Sequence, residues 1–427
     1  MMAVLLGLLP CYGIFGCCQL FLVAFLSCPF VLYQGSLEGY VLGGCHVVDE
    51  WSGPLIFLSF WLGALMMVAA QGRESYCMWG VVVCCVMAFS SYNFFWFYIF
   101  FELTLIPVSL MILQWGSQPE RVSSVAYMVL YTLGGSFAFL VFLVCCLLEY
   151  GSLFMGFSWD VLSDMGLLGF VAVAAFLVKL PVYPFHLWLT KAHVEAPAVG
   201  SMALAGLLLK LGGVGLMRVL LSYGQLSYGL TVFWGTLAMV GGVLTSLVCC
   251  RQSDMKALVA YSSVGHMSLV FMSVLSGSVV GWLGALFMMV SHGLSSSGLF
   301  GLLGEYYAKI QTRNVFVCSG IGVYYPGSSF YLGCLVVFSM GCPPGLGYLS
   351  EVLMGMGIVG SYPGFLVLFG FQGFLSGVYS LLLYVGIFHG SGTGSVQPSP
   401  SELTKTDILG FFHAVPLFLL FMFPFVI

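Results

Sequence analysis

The sequence predicts an all-α polytopic membrane protein with about 13 (12–14) transmembrane helices, two of them broken by prolines. Three observations carry that reading. Hydrophobic residues make up 61% of the 427 residues and charged residues 6%, against about 25% charged in a soluble domain. Apolar runs of about 20 residues, the length that crosses a bilayer as a helix, recur from end to end with no soluble domain between them. The runs are also too long and too evenly apolar for barrel strands, whose hydrophobicity alternates residue by residue.

The spans read as 4–33, 52–71, 76–92, 94–115, 122–149, 165–189, 197–221, 228–250, 255–275, 279–307, 326–359, 362–388 and 408–426. The first contains Pro10 and Gly16 and would divide in a count of 14. The connections test the order. Arg73, Arg121, Lys191, Arg251 with Lys256, Lys309 with Arg313, and Lys405 fall in alternate connections; the others carry Glu38, Asp49, Glu50, Asp160 and Asp164, with Arg218 at a span end. Such an asymmetry puts the basic loops on the matrix or cytoplasmic side. It holds only if 326–359 is one discontinuous helix interrupted at Pro343-Pro344. Residues 390–407 form the one long polar, turn-rich stretch and read as a surface loop. Residues 1–33 show no basic segment followed by a small-residue cleavage site, so no cleavable targeting segment is expected.

Several chemistries find no support. The 15 cysteines include the adjacent pairs Cys17-Cys18, Cys84-Cys85, Cys145-Cys146 and Cys249-Cys250, which read as small packing residues. The clustered C-x₂-C spacing of iron–sulfur ligation is absent, as are Rossmann and Walker patterns. No cofactor, nucleotide or nucleic acid is therefore expected on this chain. Asn occurs only at Asn93 and Asn314 while Phe, Gly, Val, Cys and Leu abound, a skew that fits a strand-biased organellar genome.

The chemistry resides in charges that interrupt apolar runs. A cation at the bilayer centre costs about 3 kcal/mol on insertion scales, and Lys179 and Lys210 both stand in such runs. Pro181 and Pro184 follow Lys179 and cannot bond the carbonyls of Leu177 and Leu180, so free carbonyls are expected beside the ammonium. A snorkelling Lys179 is disfavoured because the first interfacial charge, Lys191, comes much later. Gly200, Ala203, Ala205, Gly206, Gly212, Gly213 and Gly215 surround Lys210 and let other helices approach closely. Glu102 is the evident counter-ion for Lys179; Pro107 frees the carbonyl of Leu103 beside it. A carboxylate near a span end reaching headgroups remains the alternative for Glu102, and likewise for Glu351, which follows the Pro343-Pro344 break. His266 and His292 lie mid-span among Ser262, Ser263, Ser268, Ser291 and Ser295. They read either as helix–helix hydrogen bonds or as a hydrated polar path, which the near-neutral titration of imidazole suits. His186, Lys191, His193 and Glu195 read as a loop-side hydrogen-bond cluster at a possible proton entrance. The two broken helices are the sequence trace of inverted repeats. Residues 1–75 would then hold N-terminal spans, 76–250 a first half-channel repeat (Glu102, Lys179, Lys210), 251–360 a second (His266, His292, Glu351), and 361–427 the C-terminal spans.

The stretches FFELTLIPVSLMILQWGSQPERVSSVAYMVLYTLGGS, KLPVYPFHLWLTKAHVEAPAVGSMALAGLLLKLGG, RQSDMKALVAYSSVGHMSLV and SHGLSSSGLF resemble the antiporter-like membrane subunits of respiratory complex I, NADH–ubiquinone oxidoreductase. Multisubunit cation/proton antiporters belong to the wider family. The similarity covers roughly 51–425. It implies that Glu102 and Lys179 match a carboxylate–lysine pair, Lys210 a central lysine, His266 and His292 polar residues of a connecting axis, and Glu351 the acid on the second broken helix. It also implies a mitochondrial inner-membrane subunit that pumps protons. Its partners would be other membrane-arm subunits and lipids, and the NADH, FMN, iron–sulfur and ubiquinone chemistry would be done elsewhere in the complex. Thr190 stands where the family usually has Pro, and Ser350 precedes the acid at the second break. A cation/proton antiporter subunit, or a structural subunit whose charges only hold helices together, are the other expectations. Electrostatically, a Glu102–Lys179 pair at about 4 Å and an effective dielectric near 20 would be worth roughly 4 kcal/mol before desolvation. Its weakening would send a proton from Lys179 to Lys210, then through His266 and His292 to Glu351.

Overall fold

A computed structural model describes residues 40–42, 46–70, 72–156, 166–390 and 403–424. The span predicted over 4–33, the acids Glu38, Asp160 and Asp164, and loop residues 391–402 lie outside this set. A short antiparallel hairpin, β1 (Tyr40–Leu42) with β2 (His46–Val48), pairs Val41 with Val47. The helices follow: α1 (Gly53–Ala69), α2 (Glu74–Ser90), α3 (Phe94–Leu103), α4 (Leu105–Trp115), α5 (Arg121–Tyr150), α6 (Gly166–Lys179), α7 (Leu187–Glu195), α8 (Ala198–Ala203), a π-turn (Leu204–Leu208), α9 (Leu209–Tyr223), α10 (Tyr228–Cys249), α11 (Met255–Leu275), α12 (Val279–Ile310), α13 (Ile321–Tyr324), α14 (Pro326–Ser339), α15 (Leu346–Ser361), α16 (Leu366–Phe388) and α17 (Leu403–Met422). Each span predicted from residue 52 onward corresponds to one helix or to one broken or kinked set.

Local chemistry sets the ends. Asp49 and Ser52 cap each other ahead of α1: Ser52 N–H donates to Asp49 Oδ1 at 2.9 Å and Asp49 N–H to Ser52 Oγ at 3.0 Å, with Pro54 in the first turn, where a missing N–H costs nothing. Asn93 Oδ1 accepts from the Phe95 N–H at 2.9 Å to start α3. Gly151 closes α5 at φ 70°, a left-handed conformation that glycine adopts without strain. The span predicted as 94–115 is interrupted at Thr104, whose hydroxyl donates to the Phe101 carbonyl at 2.8 Å, three residues before Pro107.

Two spans form the centre. The most apolar stretches of α12 and of the α8–π–α9 segment are 100% and 94% buried, whereas those of α5 and α17 are 39% and 33% buried. The latter present apolar faces outward, as a lipid-facing shell would. Small residues bring the centre together. A Cβ on Gly212 would press within 3.1 Å of the Lys179 Cβ, and one on Gly213 would overlap Met289. The broken helix at Lys179 and the central helix α12 thus flank α9 on its glycine positions.

The two proline breaks close in the same way. At the first, Val182 N–H donates to Leu177 O (3.0 Å) and Phe185 N–H to Val182 O (2.8 Å). At the second, Cys342 N–H donates to Val337 O (3.2 Å) and Gly345 N–H to Cys342 O (3.0 Å). The expectation of a free carbonyl at Leu177 needs correcting here. Leu177 O is satisfied by a wider backbone turn, and Val178 O accepts the Trp188 indole N–H at 2.9 Å. A proline removes one donor, but the next N–H can swing back to replace it.

Two charges assigned to connections or span ends are buried. Lys256 lies inside α11, 4% exposed, and donates to Ala196 O at 2.8 Å. Arg218 is also 4% exposed. It donates to the carbonyls of Ser91 and Phe89 at the end of α2 and stands 3.5 Å from Asp49 Oδ2. It therefore ties α9 to the end of α2 and to the turn before α1.

Candidate functional site

The interior charges gather around α9. Leu204–Leu208 form a π-turn, in which backbone bonding widens by one residue. Lys210 follows it with no exposed surface. Its Nζ donates to Ala205 O at 2.5 Å and lies 2.8 Å from His292 Nδ1 on α12. An ammonium has only donors, so the imidazole nitrogen that faces it is the acceptor. His292 is 4% exposed, and Ser296 Oγ lies 3.4 Å from the same nitrogen. The His292 ring centroid is 5.8 Å from that of His266 on α11. His266 Nε2 stands 3.4 Å from Tyr379 Oη on α16. Lys210, His292 and His266 are therefore consecutive. The order expected from sequence, with His266 before His292, is reversed.

Lys179 ends α6, 2% exposed. Its Nζ lies 3.5 Å from Phe101 O and 3.9 Å from the centre of the Phe101 ring, a cation–π contact. Glu102 is the next residue, but no ion pair joins it to Lys179, and among the described residues neither carboxylate oxygen has a partner within hydrogen-bond geometry. The expected 4 Å pair is thus not made. The ammonium binds the ring and carbonyl of the neighbouring residue, so the attraction to Glu102 is weaker than the contact value and depends on small displacements.

Glu351 lies in α15, half-buried, with its carboxylate against Gly341 in the second break. Gly341 has φ 73°, and a Cβ there would overlap the carboxylate. Glycine at 341 thus serves both the backbone turn and the placing of the acid.

The serines expected to line a polar path mostly bond back to their own helices. Ser262, Ser263 and Ser268 donate to Val259, Ala260 and Gly265 carbonyls, and Ser291 to that of Met288. The group at 186–195 is not one cluster. His186 precedes α7, Lys191 is exposed with its Nζ 3.4 Å from the Tyr127 ring centre, and Glu195 pairs with Arg313 at 3.5 Å. His193 is fully buried, stacked on Phe300 at 4.5 Å, with no hydrogen-bond partner on either ring nitrogen among the described residues. One helix of nine residues points these side chains in different directions. Glu195 lines two adjoining cavities of about 380 and 280 Å³, shared with Glu120 and Val194. Sequence reasoning missed Tyr379, Gly341 and the π-turn.

Residues 91–376 match the family described as NADH:quinone oxidoreductase/Mrp antiporter, and residues 1–76 match NADH-ubiquinone oxidoreductase chain 4, amino terminus. The chain is 38% identical to NADH-ubiquinone oxidoreductase chain 4 of Locusta migratoria, over 91% of this chain and 87% of the relative. The chain belongs to the NADH–ubiquinone oxidoreductase chain 4 family. The same name is carried by relatives in Ceratitis capitata (37% identical; 88% of this chain, 86% of the relative) and Danio rerio (33%; 95% and 92%). The likeness thus begins at residue 1, beyond the 51–425 expected.

Among solved structures, a chain of respiratory complex I from Thermus thermophilus superposes with a TM-score of 0.86 at 22% identity, over 96% of this chain and 91% of that one. A chain of the Mrp complex from Dietzia superposes at 0.82 with 14% identity, over 99% and 89%. Both share the all-α antiporter-like membrane fold. The sequence lies much nearer to chain 4 relatives than to the Mrp chain, so the free-standing antiporter alternative is the weaker one. As a member of the chain 4 family, the protein is a multi-pass membrane subunit of NADH–ubiquinone oxidoreductase.

Proposed function

We propose that this subunit carries protons across the mitochondrial inner membrane through Glu102, Lys179, Lys210, His292, His266 and Glu351, with its basic loops on the matrix side. The observation that carries the reading is the 2.8 Å contact between Lys210 Nζ and His292 Nδ1 inside fully packed spans. A lysine and a histidine at that separation can exchange a proton directly, and an insertion cost of about 3 kcal/mol for each buried cation argues against charges kept only for packing.

The working step is electrostatic. Lys179 is held by Phe101 rather than by Glu102. A charge arriving from a neighbouring subunit can therefore draw the ammonium toward Glu102 or release it without first breaking an ion pair. A swing of a few kcal/mol competes with the membrane potential, which is worth about 2.3 kcal/mol per charge per 100 mV. Residues 76–250 and 251–360 act as the two half-channels in this reading, each containing one of the similar breaks.

Glu102→Gln tests the switch. The reconstituted complex should assemble, oxidise NADH with ubiquinone more slowly, and pump protons at a rate reduced by roughly tenfold. Unchanged pumping would remove Glu102 from the mechanism.

A further inference from the structure

One helix supports both sides of the contact between Lys179 and Phe101. Gly212 on α9 seats the lysine stem: a Cβ there would press within 3.1 Å of the Lys179 Cβ. Gly215, three residues on and so on the same face of α9, seats Phe97, whose ring a Cβ there would meet at 2.8 Å. Phe97 in turn backs the Phe101 ring, one turn later on α3 and 5.6 Å away between centroids. Phe101 is 1% exposed and Lys179 2%. The ring is therefore fixed by packing, and the part of the contact that can move is the end of the lysine side chain.

That end has two partners on Phe101, and they differ in kind. The ring, with its centre 3.9 Å from Nζ, attracts a cation through its quadrupole, most strongly where water is excluded. A neutral amine has no net charge for the quadrupole to attract. The Phe101 carbonyl, 3.5 Å from Nζ, accepts from a charged or a neutral amine alike, but the Thr104 hydroxyl already donates to it at 2.8 Å. On losing its proton, Lys179 thus loses the ring and keeps only the longer, shared bond. Among the described residues, the titratable groups whose charge acts on Lys179 are Glu102 and Cys85. Glu102, the residue after the ring, is the competing seat for the ammonium.

We propose that the Phe101 ring is a charge-selective latch for Lys179, seating the protonated amine away from Glu102 and releasing the neutral one. This is a positioning role; it rests on the pathway reading above and adds to it a residue that carries no charge. Seated on the ring, the charged lysine stays short of Glu102, so the two do not collapse into a pair that would retain the proton. When the proton moves on toward Lys210, the neutral amine leaves the ring, and it returns when protonated again. The ring itself takes up no proton.

Phe101→Leu keeps apolar bulk and removes the π face; Phe101→Tyr keeps the face. With the complex in proteoliposomes, protons moved per NADH oxidised should fall about fivefold or more in Phe101→Leu, as for the loss of a desolvated cation–π contact. The ratio should stay near the unsubstituted one in Phe101→Tyr, a rescue that a merely structural role for bulk at 101 does not predict. Any other pattern in the assembled variants overturns the latch. Lys210→Met, measured alongside, separates the two claims: a ratio lost there but retained in Phe101→Leu overturns the latch alone, and a ratio retained in both overturns the pathway as well. If either Phe101 variant fails to assemble, high-resolution density of the unsubstituted complex under turnover decides. The Lys179 ammonium should lie over the Phe101 ring in at least one state, and a lysine paired with Glu102 in every state overturns the proposal.

Discussion

Lys210 Nζ and His292 Nδ1 lie 2.8 Å apart on two helices that meet in the most buried part of the bundle. The π-turn before Lys210 widens the backbone, and Ala205 O takes another of its protons at 2.5 Å. The ammonium is thus held toward α12, where the imidazole can accept from it. Neither partner has solvent to fall back on, so each governs the protonation of the other.

His292→Gln separates holding from carrying. The amide oxygen can still accept from Lys210, but it cannot take up and pass on a proton near neutral pH. The complex should assemble normally and pump at a rate reduced by at least about tenfold. Pumping measured in proteoliposomes at the unsubstituted level would place the relay elsewhere.

Gly341→Val should act as a displaced Glu351. A side chain at 341 would overlap the carboxylate and would strain a backbone held at φ 73°. Destabilisation of about 1–3 kcal/mol is expected from the strain, together with a pumping defect like that of Glu351→Gln. A valine variant that pumps normally would mean that the acid does not need its seat on the break.

Arg218→Met tests the anchor at the opposite end from the Glu195–Arg313 cavities. The guanidinium bonds two carbonyls at the end of α2 and reaches Asp49. Charged hydrogen bonds of this kind are worth about 1.5–3 kcal/mol each, and Asp49 is partly exposed, so its own loss adds little. The complex should dissociate at a lower temperature on native gels after heating, with pumping per assembled complex unchanged. Full thermal resistance would show that these bonds contribute nothing.

The sequence disclosed the spans and the burial of Lys179 and Lys210 because a charge inside an apolar run has few places to go. The breaks at Pro181 and Pro343 were legible for the same reason: a missing donor has to show. Three features were not legible. The contact of Lys179 with Phe101 instead of Glu102 depends on side-chain reach of an ångström or two, which spacing along the chain does not encode. The order of His292 and His266 depends on which helix packs against α9. Lys256 looked like a loop charge because it sits near a span end, yet the carbonyl of Ala196 gives it a buried partner. Tyr379 carries no charge. Only the stripe of Gln372, Ser376 and Ser380 in an apolar helix could have pointed to it.

The central claim is that Lys210 carries a translocated proton. Lys210→Met keeps the length and apolar bulk of the side chain while removing the titrating group. With the complex reconstituted into proteoliposomes, protons moved per NADH oxidised can be read against native assembly on gels. The account predicts an assembled complex whose proton transport falls by roughly tenfold or more; an assembled complex that pumps at the unsubstituted ratio would contradict it.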